Sequence, residues 1–319
     1  MDYIEEELTV TTTYSVAFAV RVWRGARATP ASDDAGNLRL LLLHGWLDNL
    51  ASFSFFVPAL LPRLPPNSSV AALDFAGHGR SGHSPSGVYS TVEFALHAAE
   101  VLDSLGWERC VVVGHSMGGG VAMVLAGSLP ERVRGLVLLD SAGPPPTTAE
   151  AAPSAVAKFL AARAAAAAAA AARLCGARYP SAESAVAARL ATVAAHPGKQ
   201  SLSEVGAAAL VARALQDAPG GGFNFRHDDR VKGFAFSFCE PQVHEFFRRV
   251  AAAGIPVALL RAASGWPYDR ATVAARVALL GGLLTLVELP GSHHFHMDPE
   301  TRDAVAAACA KWLHTAPLV

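Results

Sequence analysis

The chain has 319 residues, of which 52% are apolar and 17% charged, and its formal net charge is −1. This length fits either one α/β core with an insertion or two domains, and the composition is ample for a large buried core. The near-neutral charge leaves no basic stripe to neutralise phosphates, which argues against a nucleic-acid-binding protein.

The first half of the chain alternates between strand and helix patterns. Two β-rich runs, at 8–13 and 14–23, predict a hairpin, and the run LRLLLL at 38–43 is typical of a strand buried on both faces. The further elements predicted here are a loop at 24–37, helices at 51–61, 91–105 and 117–129, and strands at 70–75, 110–113 and 134–139.

The pattern is interrupted after residue 143 and resumes only near residue 255. Three prolines at 144–146 open a stretch that holds nine consecutive alanines at 164–172, which favour a helix by propensity. An aromatic patch at 223–238 is interpreted as packing within this stretch. The elements predicted beyond it are strands at 257–260 and 283–289 and helices at 271–280 and 299–313.

Together these elements predict an α/β fold with a mostly parallel sheet and helices on both faces. We divide the chain into a first core segment at 1–143, a helical cap at 144–250 and a second core segment at 251–319. The cap is expected to lie over the carboxyl edge of the sheet, where open α/β sheets bind their ligands.

The cysteines and the N-terminus bear on the cellular compartment. The four cysteines have no CxxC spacing, so neither a metal site nor a disulfide framework is indicated: Cys110, Cys175, Cys239 and Cys309. The acidic start, MDYIEEE, differs from secretory and organellar leaders. Lys158, Arg163 and Arg173 interrupt the alanine-rich stretch, which argues against a membrane span. We therefore expect a cytoplasmic protein.

Ser116 is the candidate nucleophile. It is the centre of Gly114-His115-Ser116-Met117-Gly118, which follows a Val-Val-Val run and precedes an apolar-periodic helix. Serine attacks a carbonyl only when a base takes its proton and a preformed site holds the oxyanion. The G-x-S-x-G turn between strand and helix provides that geometry.

The oxyanion hole of such a site needs two backbone donors. One is expected to be the N–H of Met117, directly after the nucleophile, and the other the N–H of Trp46 in the loop after strand 38–43. Gly45 lets the backbone turn there. His44, at the end of the strand, is interpreted as a structural residue.

The base is expected to be a histidine in the loop after the last strand, GSHHFHMD at 291–298. This loop contains three histidines that are candidates for the base. His293, directly after Gly-Ser, is preferred, His294 is the alternative, and His296 is interpreted as structural. A histidine suits general base catalysis near pH 7 with little tuning of its pKa.

The acid that should orient this histidine is less evident. The loop after strand 257–260 reads RAASGWPYD and holds only one carboxylate, Asp269, late in the loop. Asp140, at the end of strand 134–139, can reach the same histidine from the neighbouring strand. We prefer Asp269 to Asp140, and a dyad without an acid stays open as a third possibility.

Four segments carry a family resemblance: LHGWLDN at 43–49, DFAGHGRS at 74–81, GHSMGG at 114–119 and PGSHHFHM at 290–297. With them, the chain resembles the serine hydrolase-like branch of the α/β-hydrolase superfamily over 38–140 and 255–313. The resemblance implies an eight-stranded sheet with a helical cap, no cofactor, and Ser116 and His293 as catalytic residues. Where family members often carry an Asp, this chain has Trp266.

Two functions are weighed. The first is an esterase-type serine hydrolase that acts on a small or medium apolar acyl substrate, as the apolar-rich cap suggests. The second is a non-enzymatic protein that binds a small molecule in the same pocket. Dehalogenase and epoxide-hydrolase chemistry need an aspartate at position 116 and are disfavoured, whereas perhydrolase and carbon–carbon bond hydrolase activities stay open. The expected partner is a small-molecule substrate, without nucleic acid, membrane, metal or cofactor, and the oligomeric state is open.

Overall fold

A computed structural model of the chain describes residues 3–12, 16–25, 38–171, 178–233 and 237–318. The strands in these ranges are β1 (Tyr3–Thr11), β2 (Ala17–Gly25), β3 (Arg39–Leu43), β4 (Ser69–Leu73), β5 (Cys110–His115), β6 (Val133–Leu139), β7 (Leu215–Asp217), β8 (Phe223–Phe225), β9 (Val257–Ser264) and β10 (Leu284–Ser292). The α-helices are α1 (Phe56–Leu60), α2 (Thr91–Ser104), α3 (Met117–Ser128), α4 (Ala152–Ala171), α5 (Ala182–Ala194), α6 (Glu204–Ala214), α7 (Glu240–Ala252), α8 (Arg270–Ala278) and α9 (Arg302–Thr315).

Eight of the strands form one sheet in the order β1-β2-β4-β3-β5-β6-β9-β10. Strand β2 is antiparallel to both of its neighbours, and the pairs from β4 to β10 are parallel. The predicted eight-stranded, mostly parallel sheet is therefore confirmed. Its central strands carry the most continuous apolar runs, because crossover helices bury both of their faces.

Helices cover both faces of the sheet, as predicted. Helices α2, α3 and α7 lie over one face, where Met123 and Phe247 are part of a continuous apolar core. Helices α1 and α9 lie over the other face, with Phe56 and Trp312 in a second core. The carboxyl ends of the parallel strands consequently meet at one edge, where the candidate site residues converge.

The prediction of a single helix at 51–61 is wrong. The structure has a short 3₁₀ turn at Leu50–Phe53, then α1, and a second 3₁₀ turn at Leu61–Arg63. Pro58 explains the break, because proline has no N–H to donate to the carbonyl of Ser54 and its ring collides with that carbonyl in a continuous helix. Within the first turn of α1 the same proline is tolerated.

The region predicted as a cap contains α4, α5, α6 and a small β7–β8 hairpin that the sequence did not predict. Helix α7 crosses the boundary placed at residue 250 and packs on α3, where a Cβ on Gly127 would lie 2.9 Å from Phe246. In the aromatic patch, Phe238 packs on Phe246, whereas 234–236 lie outside the described residues. Cys175, residues 13–15 and residues 26–37 of the predicted loop also lie outside the described residues.

Helix α4 carries residues 164–171 of the alanine run, and most of its residues up to 165 are exposed, with Leu160 59% accessible. None of the helices in the described ranges is long and apolar enough to cross a lipid bilayer.

Candidate active site

Ser116 lies in a sharp turn between β5 and α3 and has a φ of 52°, in the left-handed region that non-glycine residues rarely adopt. Glycines on either side make the turn possible. A Cβ on Gly114 would lie 2.4 Å from the Gly118 oxygen, and one on Gly118 would lie 2.0 Å from the Leu43 oxygen. The elbow thus packs directly against the end of β3, which holds the serine beside the loop that follows β3.

His293 is paired with Asp140. Its Nδ1 lies 2.6 Å from Oδ2 of Asp140, and both side chains are at least 95% buried. The carboxylate also accepts the backbone N–H groups of Ala262, at 3.1 Å, and Trp266, at 2.8 Å. A carboxylate bound in this way fixes the tautomer of the imidazole, leaving Nε2 as the nitrogen that can accept a proton.

Asp269, preferred over Asp140 from the sequence, does not make this contact. Its side chain caps α8 by accepting the N–H of Thr272 at 2.7 Å and the hydroxyl of the same residue at 2.7 Å. The preference for Asp269 is therefore corrected in favour of its stated alternative, Asp140. Helix capping is the common use of an aspartate directly before a helix.

Ser116 and His293 line the same cavity, which has a volume of about 560 Å³. Trp46 and Met117, predicted as the oxyanion donors, line it too. Met117 is the first residue of α3, so its N–H has no acceptor within the helix. The side chain of Trp46 is 38% exposed and donates from Nε1 to the Val231 oxygen at 3.1 Å.

His294 and His296 are also buried, but neither contacts Asp140. Nε2 of His294 lies 3.3 Å from Oδ2 of Asp48, and the ring of His296 lies 4.3 Å from that of His115, tilted by 42°. His44, interpreted as structural, accepts the N–H of Phe75 at Nε2 and donates from Nδ1 to the Gly45 oxygen. Of the three candidates for the base, His293 has its carboxylate partner at Nδ1, whereas His294 meets Asp48 through Nε2.

Two charged residues of the site were not identified from the sequence. Asp48 lines the cavity and is almost fully buried; it accepts a hydrogen bond from Arg189 of α5 and lies near His115 and His294. Asp48 belongs to the LHGWLDN segment, so the resemblance gave a signal for it. Arg189 stands in a helix without any recognisable motif, and nothing in the sequence pointed to it.

The described residues were predicted to hold no metal. Among the residues that the structure describes, no three or more His, Cys, Asp or Glu side chains are grouped so that they could hold a metal ion.

Burial lowers the pKa of His293, His294 and His296 and so favours their neutral forms. Burial lowers the pKa of His293 below its ordinary value, although the hydrogen bond to Asp140 opposes this effect. Burial would raise the pKa of Asp140, but the contact with His293 and the two N–H donors lower it instead. The pair therefore holds a neutral imidazole beside an ionised carboxylate at neutral pH, which is the protonation state that a general base requires.

A pH dependence of stability follows from His294 and His97. Burial lowers the pKa of each to about 4, whereas the unfolded value is near 6.5. The unfolded chain therefore takes up protons first, and stability is lost as the pH falls from about 6.5 toward 4. Each histidine is expected to lower the free energy of unfolding by about 2 kcal/mol between pH 7 and pH 5. Urea denaturation at the two pH values measures this loss.

His97 allows this expectation to be tested away from the site. It lies in α2 with its ring 4.8 Å from that of Phe18. Because phenylalanine does not titrate, the free energy of unfolding of His97→Phe is expected to fall by about 2 kcal/mol less than that of the wild type between pH 7 and pH 5. The matched control is His314→Phe, because His314 is exposed. Equal pH dependence in the wild type and the His97 variant would contradict the expectation.

The chain is similar to known proteins in both sequence and structure. A family described as alpha/beta hydrolase fold matches residues 39–203. The chain is 28% identical over 285 residues to a probable serine hydrolase of Drosophila melanogaster, covering 87% of this chain and 81% of that protein. A hypothetical protein of Pseudomonas aeruginosa has a similar structure, with a TM-score of 0.81 and 32% identity over 97% of this chain and 99% of that one.

A serine hydrolase-like protein of Danio rerio is 41% identical over 105 residues. This match covers 33% of the present chain and 31% of the relative, so the chain spans only about a third of that protein. The predicted resemblance to the serine hydrolase-like branch is confirmed by these relatives.

Proposed function

The chain belongs to the α/β-hydrolase fold family, and on that premise we propose that it hydrolyses carboxylic esters with Ser116 as nucleophile and His293 as base. The observation that carries the proposal is the 2.6 Å contact between His293 and Asp140 at the cavity that Ser116 lines. A serine, a neutral histidine and an ionised aspartate are the complete set of groups for acyl transfer.

The reaction proceeds in two halves. Nε2 of His293 takes the proton of the Ser116 hydroxyl as its oxygen attacks the ester carbonyl, and the N–H groups of Trp46 and Met117 bind the oxyanion. His293 then gives the proton to the leaving alcohol, which leaves an acyl group on Ser116. Water, activated by the same histidine, attacks the acyl carbon and releases the carboxylic acid. Asp140 keeps its charge throughout and stabilises the imidazolium.

The cavity favours an uncharged, largely apolar substrate of small or medium size. Its wall includes three consecutive prolines at 144–146, together with Trp266 and Val273. Arg189 and Arg276 also line it, but each is already paired, with Asp48 and Glu240 respectively. Because both positive charges are neutralised, neither is free to select an anionic substrate. A volume of about 560 Å³ lies within the usual range for small-molecule sites.

A binding protein without turnover would be favoured if no carboxylate accompanied His293. Asp140 lies 2.6 Å from Nδ1 of His293, which supports the hydrolase.

The test is covalent labelling. A fluorophosphonate probe is expected to modify Ser116 stoichiometrically, detected by mass spectrometry of the peptide that contains residue 116, because only an activated serine attacks such a probe. The same preparation is expected to hydrolyse p-nitrophenyl butyrate faster than an ester of a charged acid. The proposal fails if Ser116 stays unlabelled while a reference serine hydrolase is labelled under identical conditions.

A further inference from the structure

The loop at 45–49, which carries the proposed oxyanion donor Trp46, is attached to the cap by three of its side chains. Trp46 donates to the Val231 oxygen at 3.1 Å, Asn49 donates to the Leu210 oxygen at 2.9 Å, and Asp48 pairs with Arg189. We propose that Arg189 is a positioning residue, which acts through Asp48 to hold this loop and so couples the cap to the oxyanion hole. Its effect on catalysis rests on the proposed function.

Asp48 supports the loop backbone from beneath. The Asp48 N–H donates to the Gly45 oxygen at 3.2 Å, which closes a turn with Trp46 and Leu47 at its centre. A Cβ on Gly45 would lie 2.8 Å from Oδ2 of Asp48, so the backbone beside Trp46 rests directly on the carboxylate. Movement of that carboxylate therefore changes where the Trp46 N–H points.

The turn is one that needs outside support. Leu47 has a φ of 57°, a conformation that a leucine adopts rarely and that persists only where the surrounding structure holds it. The three contacts with the cap supply such support. Two of them are hydrogen bonds to backbone carbonyls, and the third is the ion pair of Asp48 and Arg189.

Arg189 is the permanently charged neighbour of Asp48 and contacts Oδ1, whereas His115, at 3.6 Å, and His294, at 3.3 Å, lie beside Oδ2. Burial lowers the pKa of His294 to about 4, so this neighbour is neutral near pH 7. The Asp48 side chain is 2% exposed and that of Arg189 10% exposed. A buried carboxylate without its cation is strongly disfavoured, so loss of Arg189 is expected to protonate or displace Asp48, and the loop would move with it.

Arg213 provides a matched control. It stands in α6, also in the cap, and pairs from Nε with Asp74 of the core at 2.8 Å, with side chains 4% and 0% exposed. Asp74 keeps the N–H donors of Leu50 and Arg80 when the arginine is replaced. Arg213 is not one of the residues that line the cavity. Its substitution therefore removes a buried pair between cap and core without touching Asp48.

The experiment compares Arg189→Met with Arg213→Met. For p-nitrophenyl butyrate, Arg189→Met is expected to lower kcat by about 100-fold, the cost of displacing a catalytic group by about 1 Å, with KM changed less than about 3-fold. Arg213→Met is expected to keep kcat within about 3-fold of the wild type. Arg189→Lys should recover most of the loss, because the contact with Asp48 is made by a single nitrogen.

Hydrogen–deuterium exchange separates this inference from the proposed function. Exchange in peptides covering 44–49 is expected to rise in Arg189→Met and to stay at the wild-type level in Arg213→Met and Arg189→Lys. Unchanged exchange in folded Arg189→Met, or an equal rise in the Arg213 variant, overturns the positioning role. A wild-type protein that hydrolyses no ester would overturn the proposed function alone, since the exchange comparison needs no activity.

Discussion

Replacement of Ser116 by alanine is expected to lower kcat for p-nitrophenyl butyrate by about 10⁶-fold, to the level left by the oxyanion donors and binding alone. The Ser116 hydroxyl is the group proposed to form the acyl intermediate, whereas the other hydroxyls that line the described cavity lie outside the turn between β5 and α3: those of Thr91, Ser237, Tyr268 and Thr272. Alanine keeps the Cβ and the backbone of the turn between β5 and α3, so the melting temperature should stay close to that of the wild type. The measurement is steady-state hydrolysis together with a thermal melt.

The matched control is Ser128→Ala, at the exposed far end of the same helix α3. This variant is expected to retain wild-type turnover and probe labelling. Hydrolysis that survives in a pure, folded Ser116 variant would place the chemistry on another residue. Ligand binding without turnover in the wild type would favour the non-enzymatic alternative.

The elements that position Ser116 could be predicted because each depends on local sequence. The continuous apolar run of β3, the Val-Val-Val run of β5 and the glycines around Ser116 all carry information within a few residues. Strict steric requirements make the signal strong, since a side chain at Gly118 would collide with the Leu43 backbone. The turn that holds Ser116 and the loops around it could therefore be predicted without a structure.

The carboxylate partner of His293 depended on an arrangement that local sequence does not reveal. Strands β6 and β9 are neighbours, with Leu139 opposite Leu260, so Asp140 lies beside the end of β9, where its carboxylate accepts the N–H groups of Ala262 and Trp266. Gly265 permits this approach, because a Cβ there would lie 2.4 Å from the carboxylate of Asp140. Reasoning along one loop favoured Asp269, whereas the contact is made across two strands.

The cap was predicted only as a region. Its strands β7 and β8 have three residues each, too few for alternation to be recognised, and the alanines of α4 have no pattern that selects a buried face. Arg189 matters through a partner 141 positions away. Such a contact follows from the folded arrangement of helix α5 over the sheet, and a single sequence does not encode it as a motif.

Replacement of Asp140 by asparagine is expected to lower kcat by about 10⁴-fold. The amide has no charge to stabilise the imidazolium, and it can donate to Nδ1 of His293, which would place the ring proton on Nε2 and prevent that nitrogen from accepting the serine proton. KM is expected to change little, because Asp140 lies behind His293 and does not line the cavity. The measurement is steady-state hydrolysis of p-nitrophenyl butyrate across pH 6 to 9.

Asp269→Asn is the matched control, and it decides between the two carboxylates. Asn is also a good helix cap, so this variant should remain folded, with kcat within about 3-fold of the wild type. A large loss of kcat in Asp269→Asn combined with near-normal turnover in Asp140→Asn would return the acid to the loop after β9. Equal, small losses in both would mean that Ser116 and His293 act as a dyad, because neither carboxylate would then contribute to the charge on the imidazole during the transfer of the proton.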